Sequence, residues 1–300
     1  MSVSEMLNIG LMQGFAGLSL FAVLLLMGLG LVVIFGQMGV INMAHGEFIM
    51  AGAYTAYVAN QILGSAGLSL LVSLPVAFAV AGALGVLLEA TLLRRMYHRP
   101  LDTLLVTWGV SLVLQQIARD VFGTAGVDVP APEWLGGPVE VLGFPFPRTR
   151  LFILLLAVAA FVALAVLLRY TALGRRIRAT VQNRPLAETA GISTRATDRL
   201  TFFIGSGLAG VAGVALTLMG SISPNLGTGY IITAFLVVVV GGIGQIKGAI
   251  IAAFLLGIVQ SSIEFSTSAS IAQVIVFALI VTFLQVRPQG IYQVRTRSLA

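Results

Sequence analysis

The sequence predicts an all-α, polytopic integral membrane protein of eight or nine spanning helices, some broken or re-entrant at glycine-rich segments. Three observations lead there. Only 9% of the 300 residues are charged and 58% are hydrophobic, with a mean hydropathy of +1.02; soluble domains carry about 25% charged residues. No Lys, Arg, Asp or Glu occurs from Met6 to Gly46, and none from Phe48 to Leu88. The arginines gather in a few loops, as the positive-inside rule expects. That clustering accounts for the net charge of +6 and removes the case for nucleic acid. The chain has no cysteine, so disulfides, thiolate nucleophiles and Cys metal sites are excluded.

Crossing the hydrocarbon core takes roughly 20 apolar residues. Spans are expected near 11–35, 47–63, 68–92, 102–119, 150–169, 200–220, 248–264 and 269–286. A shorter apolar segment, Tyr230 to Val240, is a full span with polar ends or a half-helix. Pro75 is expected to kink the third span. The first run is long enough to span and stay, and no Lys or Arg precedes it, so no cleavable signal peptide is expected. The segments 93–100 and 169–199, Lys247 and the tail, with Arg287, Arg295 and Arg297, hold fourteen of the 17 basic residues. They should face the cytoplasm. Loop 120–149 holds Asp120, Asp128, Glu133 and Glu140 against Arg148, with five prolines, and should face outward. This count puts the N-terminus outside and the C-terminus in the cytoplasm. Residues 1–300 read as one transmembrane domain, with 169–199 as its main cytoplasmic loop.

The break between the first two spans, 36–47 (GQMGVINMAHGE), is polar and glycine-rich. Irregular backbone at membrane depth survives only where protein or a water-filled cavity surrounds it. Asn42 and His45 either line a passage or cap and pack a tight turn. Glu47 either contacts a solute or starts the second helix against its dipole. Charge placement puts the break near the cytoplasmic ends of the first two spans. The stretch 31–39 (LVVIFGQMG) has an echo 205 residues later in 236–244 (LVVVVGGIG), pairing Gly36 and Gly39 with Gly241 and Gly244. Paired interruptions point to a substrate path; coincidence among common residues is the alternative.

In the fourth span, Trp108, Ser111 and Gln115 fall at helical spacing near Thr107 and Gln116. They offer hydrogen bonds to a polar solute, or glue between helices. Gly205–Gly210 (GSGLAG) has dinucleotide-fingerprint spacing, but lies in an uncharged run from Leu200 to Ile246. Close helix packing fits those small residues better. Gly241–Gly248 (GGIGQIKG) lacks the Gly before Lys and the Ser or Thr after it that a phosphate loop requires. His45 and Glu47 make no metalloprotease motif, and the other histidine is His98. No catalytic set, metal site or cofactor is expected. In the basic loop, Asn183 or Arg184 precedes Pro185 in the first turn of a short helix ending near Gly191. That helix faces anionic lipid or docks another subunit.

These stretches, with 99–109 (RPLDTLLVTWG), 174–184 (GRRIRATVQNR) and 287–290 (RPQG), resemble permease subunits of bacterial ABC importers for branched-chain amino acids and urea. The resemblance runs over nearly the whole chain. Thr107-Trp108-Gly109 and Gln182-Asn183-Arg184 look closer to the urea-type first permease subunit. It implies a bacterial inner-membrane permease that lacks ATPase activity itself. The implied partners are a second homologous permease, two cytoplasmic ABC ATPases and a periplasmic solute-binding protein. It implies that loop 169–199 transmits ATPase movement through Arg184, Pro185, Glu188, Gly191 and Ile192. Urea or a short amide fits the Asn, Gln, Ser and Thr content of the spans; a branched-chain amino acid is the alternative substrate. A passive channel would need no docking loop. A secondary transporter would need titratable groups within the spans.

Overall fold

The computed structural model describes residues 3–97, 99–141 and 144–292. His98 and the tail arginines Arg295 and Arg297 lie outside the described residues. The long helices are α1 (Val3–Met38), α2 (His45–Leu63), α3 (Ala66–Thr91), α4 (Pro100–Phe122) and α5 (Arg148–Tyr170). After the short α6 (Ala172–Gln182) and α7 (Arg184–Thr189) come α8 (Thr194–Thr217), α9 (Leu226–Gly241), α10 (Ile246–Ser266) and α11 (Ala269–Val286). Between α4 and α5, strands β1 (Pro138–Val141) and β2 (Phe144–Pro147) form an antiparallel pair.

Each expected span is a helix, and seven of the described helices are long and apolar enough to cross a membrane. The 19-residue α2 is more polar and falls outside that set. The short segment at 230–240 becomes the 16-residue α9, because Leu226, Gly227, Thr228 and Gly229 add a turn that apolarity alone hides. At 1.5 Å per residue, α9 is about 24 Å long, short of the ~30 Å hydrocarbon core. Pro75 lies inside α3 without ending it. The prolyl ring removes one backbone donor, and the helix continues through that gap.

Helices α1 and α8 form the centre. The most apolar window of α1 is 83% buried and that of α8 is 78% buried, against 17% for α5 and for α11. Lipid is as apolar as a leucine side chain, so burial here depends on close packing rather than on escape from water. Small residues allow it. A Cβ on Gly213 would meet backbone of Ile49 and Ala53 in α2, and one on Gly210 would meet Ala77 and Ala81 in α3. A Cβ on Gly205 would lie 2.7 Å from the Gly30 carbonyl oxygen in α1. The GSGLAG spacing is therefore a packing stripe.

The chain turns at Gly39, whose φ of +64° suits glycine and whose N–H donates to Phe35 O at 2.9 Å. Residues 39–44 then carry it back. A Cβ on Gly30 would lie 3.0 Å from His45 Cε1, so α2 starts alongside Gly30 rather than beside the end of α1. Gly30 lies eight residues, about 12 Å along the axis, before Met38. The far end of the break thus lies deeper along α1 than its start at Gly39. The second break, after Gly241, uses Gly242 and Gly244 at φ of +100° and +73°. The two breaks touch: a Cβ on Gly36 would lie 2.5 Å from Gly244 Cα. Beyond α11 the chain folds back onto α9. Ile291 N–H donates to Val240 O at 2.8 Å and Tyr292 N–H to Gly241 O at 3.2 Å. These bonds satisfy two carbonyls that the end of α9 would otherwise leave free.

Candidate functional site

The polar residues of the first break meet a stripe on α4. Thr107, Ser111 and Gln115 recur every four residues, so they share one face of α4, and all three are buried. Trp108, one residue out of that phase, is 53% exposed. The buried face is therefore Thr–Ser–Gln, and Trp108 points away from it. Gln116 is likewise exposed and donates to Asp120 at 2.8 Å.

Thr107 braces the irregular backbone. Its hydroxyl accepts from Met43 N–H at 3.0 Å and lies 3.4 Å from the Ile41 carbonyl. One turn on, Ser111 Oγ donates to Glu47 Oε1 at 2.8 Å. Gln115 Nε2 donates to Glu47 Oε1 at 2.9 Å and to Thr228 Oγ1 at 2.9 Å, with Ser111 Oγ at 3.2 Å. Three helices thus converge on one carboxylate. Glu47 is 1% exposed, and no described Lys or Arg forms an ion pair with it. Arg119 acts on it only from beyond contact distance; a buried carboxylate without a direct ion pair is costly, and within a membrane such groups mark functional sites. Arg119 also donates to Asn225 Oδ1 at 2.7 Å, tying the approach to α9 onto α4.

The first turns of α2 and α9 face each other at this point. A Cβ on Gly46 would lie 2.9 Å from the Gly227 carbonyl carbon, and one on Gly227 would lie 2.9 Å from Glu47 N. Neither helix start carries a side-chain cap. Two helix N-termini, each with a partial positive charge, therefore meet beside Glu47. Asn42 and His45 are buried here too, but neither caps α2, whose N-cap is Ala44. No hydrogen bond of ordinary geometry reaches the Asn42 amide, the His45 ring nitrogens or Glu47 Oε2. Thr228, on α9, was not foreseen; its signal was a hydroxyl in a Gly-Thr-Gly turn just before an apolar run.

A cavity of about 470 Å³ lies between α1, α5, α9 and α10, reaching Tyr230 in the early turns of α9. Gln13, Ser19, Arg150, Tyr230, Ser261 and Glu264 line it. Gln13 Nε2 donates to Ser261 O at 2.5 Å, joining α1 to α10.

The basic loop forms the short helix that its sequence announces. Asn183 Oδ1 accepts from Leu186 N–H at 3.0 Å as N-cap, Pro185 lies in the first turn, and Gly191 at φ of +81° follows the end. Ile192 N–H donates to Ala187 O at 3.0 Å. Ala187 is buried, while Pro185, Leu186, Glu188 and Gly191 are exposed and Ile192 is half-buried. Arg184 reaches inward to Asp198, and Glu188 accepts from Thr194 Oγ1 at 2.5 Å. Beside it, burial together with the Glu89 carboxylate holds the Tyr97 phenol far above its usual pKa. The residues predicted for ATPase coupling and those predicted for a substrate path thus lie in two separate clusters. Among the described residues no group of three His, Cys, Asp or Glu side chains could hold a metal ion.

Broken helices, a buried polar centre and tight small-residue packing define a multi-pass membrane permease. Residues 14–284 match the family described as "Branched-chain amino acid transport system / permease component", and the chain belongs to it. It is 32% identical over 306 residues to the high-affinity branched-chain amino acid transport system permease protein LivH of Salmonella typhimurium, covering 96% of this chain and 97% of that protein. It is 29% identical to BraD of Pseudomonas aeruginosa, covering 92% of this chain and 93% of BraD. The ribose import permease protein RbsC of Escherichia coli is 27% identical over 76% of this chain and 72% of its own length. No solved structure matches. The preference for urea expected from Thr107-Trp108-Gly109 and Gln182-Asn183-Arg184 draws no support from these relatives, whose names fit the amino-acid alternative better.

Proposed function

We propose that this chain is the membrane-spanning subunit of an ATP-driven importer for branched-chain amino acids in a bacterial inner membrane. The observation that carries this reading is the likeness over nearly the whole chain to LivH and BraD, both named as branched-chain amino acid permeases. The positive region where the N-termini of α2 and α9 meet is already faced by the Glu47 carboxylate, so the amino-acid reading rests on the relatives. The cavity that holds both Arg150 and Glu264 adds a positive and a negative group, which suits a zwitterion. Asn42, His45, Glu47, Thr107, Ser111 and Gln115 line the path. Gly36, Gly39, Gly241 and Gly244 let its two walls bend.

The chain acts as one transmembrane domain, with its N-terminus and loop 120–149 outside and its C-terminus and loop 169–199 in the cytoplasm. A second homologous permease completes the path. Of the two cytoplasmic ABC ATPases of the assembly, one docks on α7 of this chain through Arg184, Pro185, Glu188, Gly191 and Ile192. A periplasmic binding protein delivers the solute. Uptake of radiolabelled leucine and urea in a deletion strain carrying this gene and its partners tests the substrate. Leucine uptake restored without urea uptake supports the reading; urea uptake alone overturns it.

A further inference from the structure

We propose that Asp198 is a positioning residue that ties α7 to the end of α1, and through it to both glycine breaks. The proposal rests on the reading of α7 as the ATPase contact.

Asp198 is completely buried in the first turns of α8. Its two oxygens serve two different elements. Oδ2 takes Arg184 Nη2, in the first turn of α7, at 2.5 Å. Oδ1 accepts from Gln37 Nε2, in the last turn of α1, at 2.9 Å. Gln37 is fixed at its other end as well, because its Oε1 accepts from Thr201 Oγ1 one turn along α8. No slack rotamer is left between α7 and α1.

The anchor at each end is rigid for a physical reason. Among the described residues, the one ion pair of Asp198 is with Arg184. Pulling them apart would strand a buried carboxylate, which is strongly unfavourable. A shift of α7 therefore carries Asp198 with it rather than breaking the pair. At the far end, Gln37 follows Gly36, whose Cα lies against Gly244 of the second break with no room for a side chain. Moving the last turn of α1 therefore moves the contact between the breaks.

The other ties of α7 lead elsewhere. Arg184 lies over the Tyr97 ring at 5.5 Å, and the Tyr97 hydroxyl donates to Glu89 of α3 at 2.5 Å. Glu188 is held by Thr194 within the same loop. Asp198 is the described junction from which a side-chain hydrogen bond runs to α1. It gives a described route of contact from α7 to the end of α1.

The test uses the assembled importer in proteoliposomes, with leucine as probe and uptake per ATP hydrolysed as the readout. Gln37→Leu removes the link to α1 and leaves the Arg184–Asp198 pair in place. ATPase co-purification and basal hydrolysis should be retained, while leucine carried per ATP falls about tenfold, the usual order of a coupling effect. Thr201→Val frees only the far end of Gln37 and should give a smaller fall in the same ratio, which keeps the proposal testable if Gln37→Leu reaches the membrane poorly. An unchanged ratio overturns the proposal. So does a parallel loss of uptake and hydrolysis, since that is what damage to the fold alone produces. The docking reading fails separately, if Glu188→Ala/Gly191→Val still co-purifies with the ATPase and transports normally.

Discussion

The chain between α1 and α2 and the chain between α9 and α10 follow similar sequences, LVVIFGQMG and LVVVVGGIG, and both bend at a glycine of positive φ. Their surroundings differ. The first break runs back along α1, buries Asn42, His45 and Glu47, and takes its support from a side chain, Thr107. The second lacks buried polar side chains among its described residues and takes its support from backbone, the N–H groups of Ile291 and Tyr292. A similar bend thus serves two ends. One break gathers buried polar groups, and the other is closed by backbone hydrogen bonds and packs against the first.

Several substitutions would break or sharpen this contrast. The largest effect is expected at the meeting of α2 and α9. Gly227→Val would drive a side chain into the backbone of Gly46 and Glu47, with overpacking at the upper end of the usual ~1–3 kcal/mol range. Leucine uptake should vanish and the detergent-solubilised protein should melt earlier; normal uptake would show that the two N-termini need not touch.

Next comes the chemistry of the first break. Glu47→Gln keeps the shape and removes the charge, and should lower uptake about 10–100-fold, or ~1.4–2.7 kcal/mol, with normal membrane insertion. Lys247→Gln, at the second break, should transport within about twofold of the parent. Equal losses at both positions would erase the distinction.

The glycines give a smaller and graded comparison. Gly39→Ala meets open space and suffers only the positive φ, about 1–2 kcal/mol. Gly244→Ala suffers the same strain and also presses on Gly36 Cα, so its melting temperature should fall further than that of Gly39→Ala. The reverse order would mean that the breaks do not bear on each other. The smallest effect is expected outside the site. Trp108→Ala should transport at nearly the parental rate, whereas Ser111→Ala, which costs a buried carboxylate one donor, should lose about tenfold. A loss confined to Trp108 would restore it to the path.

How far the sequence foretold these contacts follows from their range. Helix existence was legible from long uncharged runs, and α7 from Asn183, Pro185 and Gly191, because those signals are local. The small residues of α8 announced close packing but not against which helices. Trp108 misled because spacing alone cannot fix the phase of a stripe. Thr107, Ser111, Gln115 and Trp108, Ser111, Gln115 both read as one face until α2 is in place. Thr228 escaped because its hydroxyl meets Gln115 across 113 residues. The Gln37–Asp198 bond escaped for the same reason, joining positions 161 residues apart. Patterning reports which face of a helix is buried, not which partner covers it.

The enclosure of α1 has a consequence for how the protein is made. Its neighbours α8 and α10 come more than 150 residues later in the chain. A helix this apolar is stable in lipid on its own, so it enters the bilayer long before its partners leave the ribosome. Until then its glycines and Gln37 face lipid tails or passing strangers. The structural centre of the finished molecule is thus an early arrival left waiting, and the last act of assembly is a gathering of later helices around it.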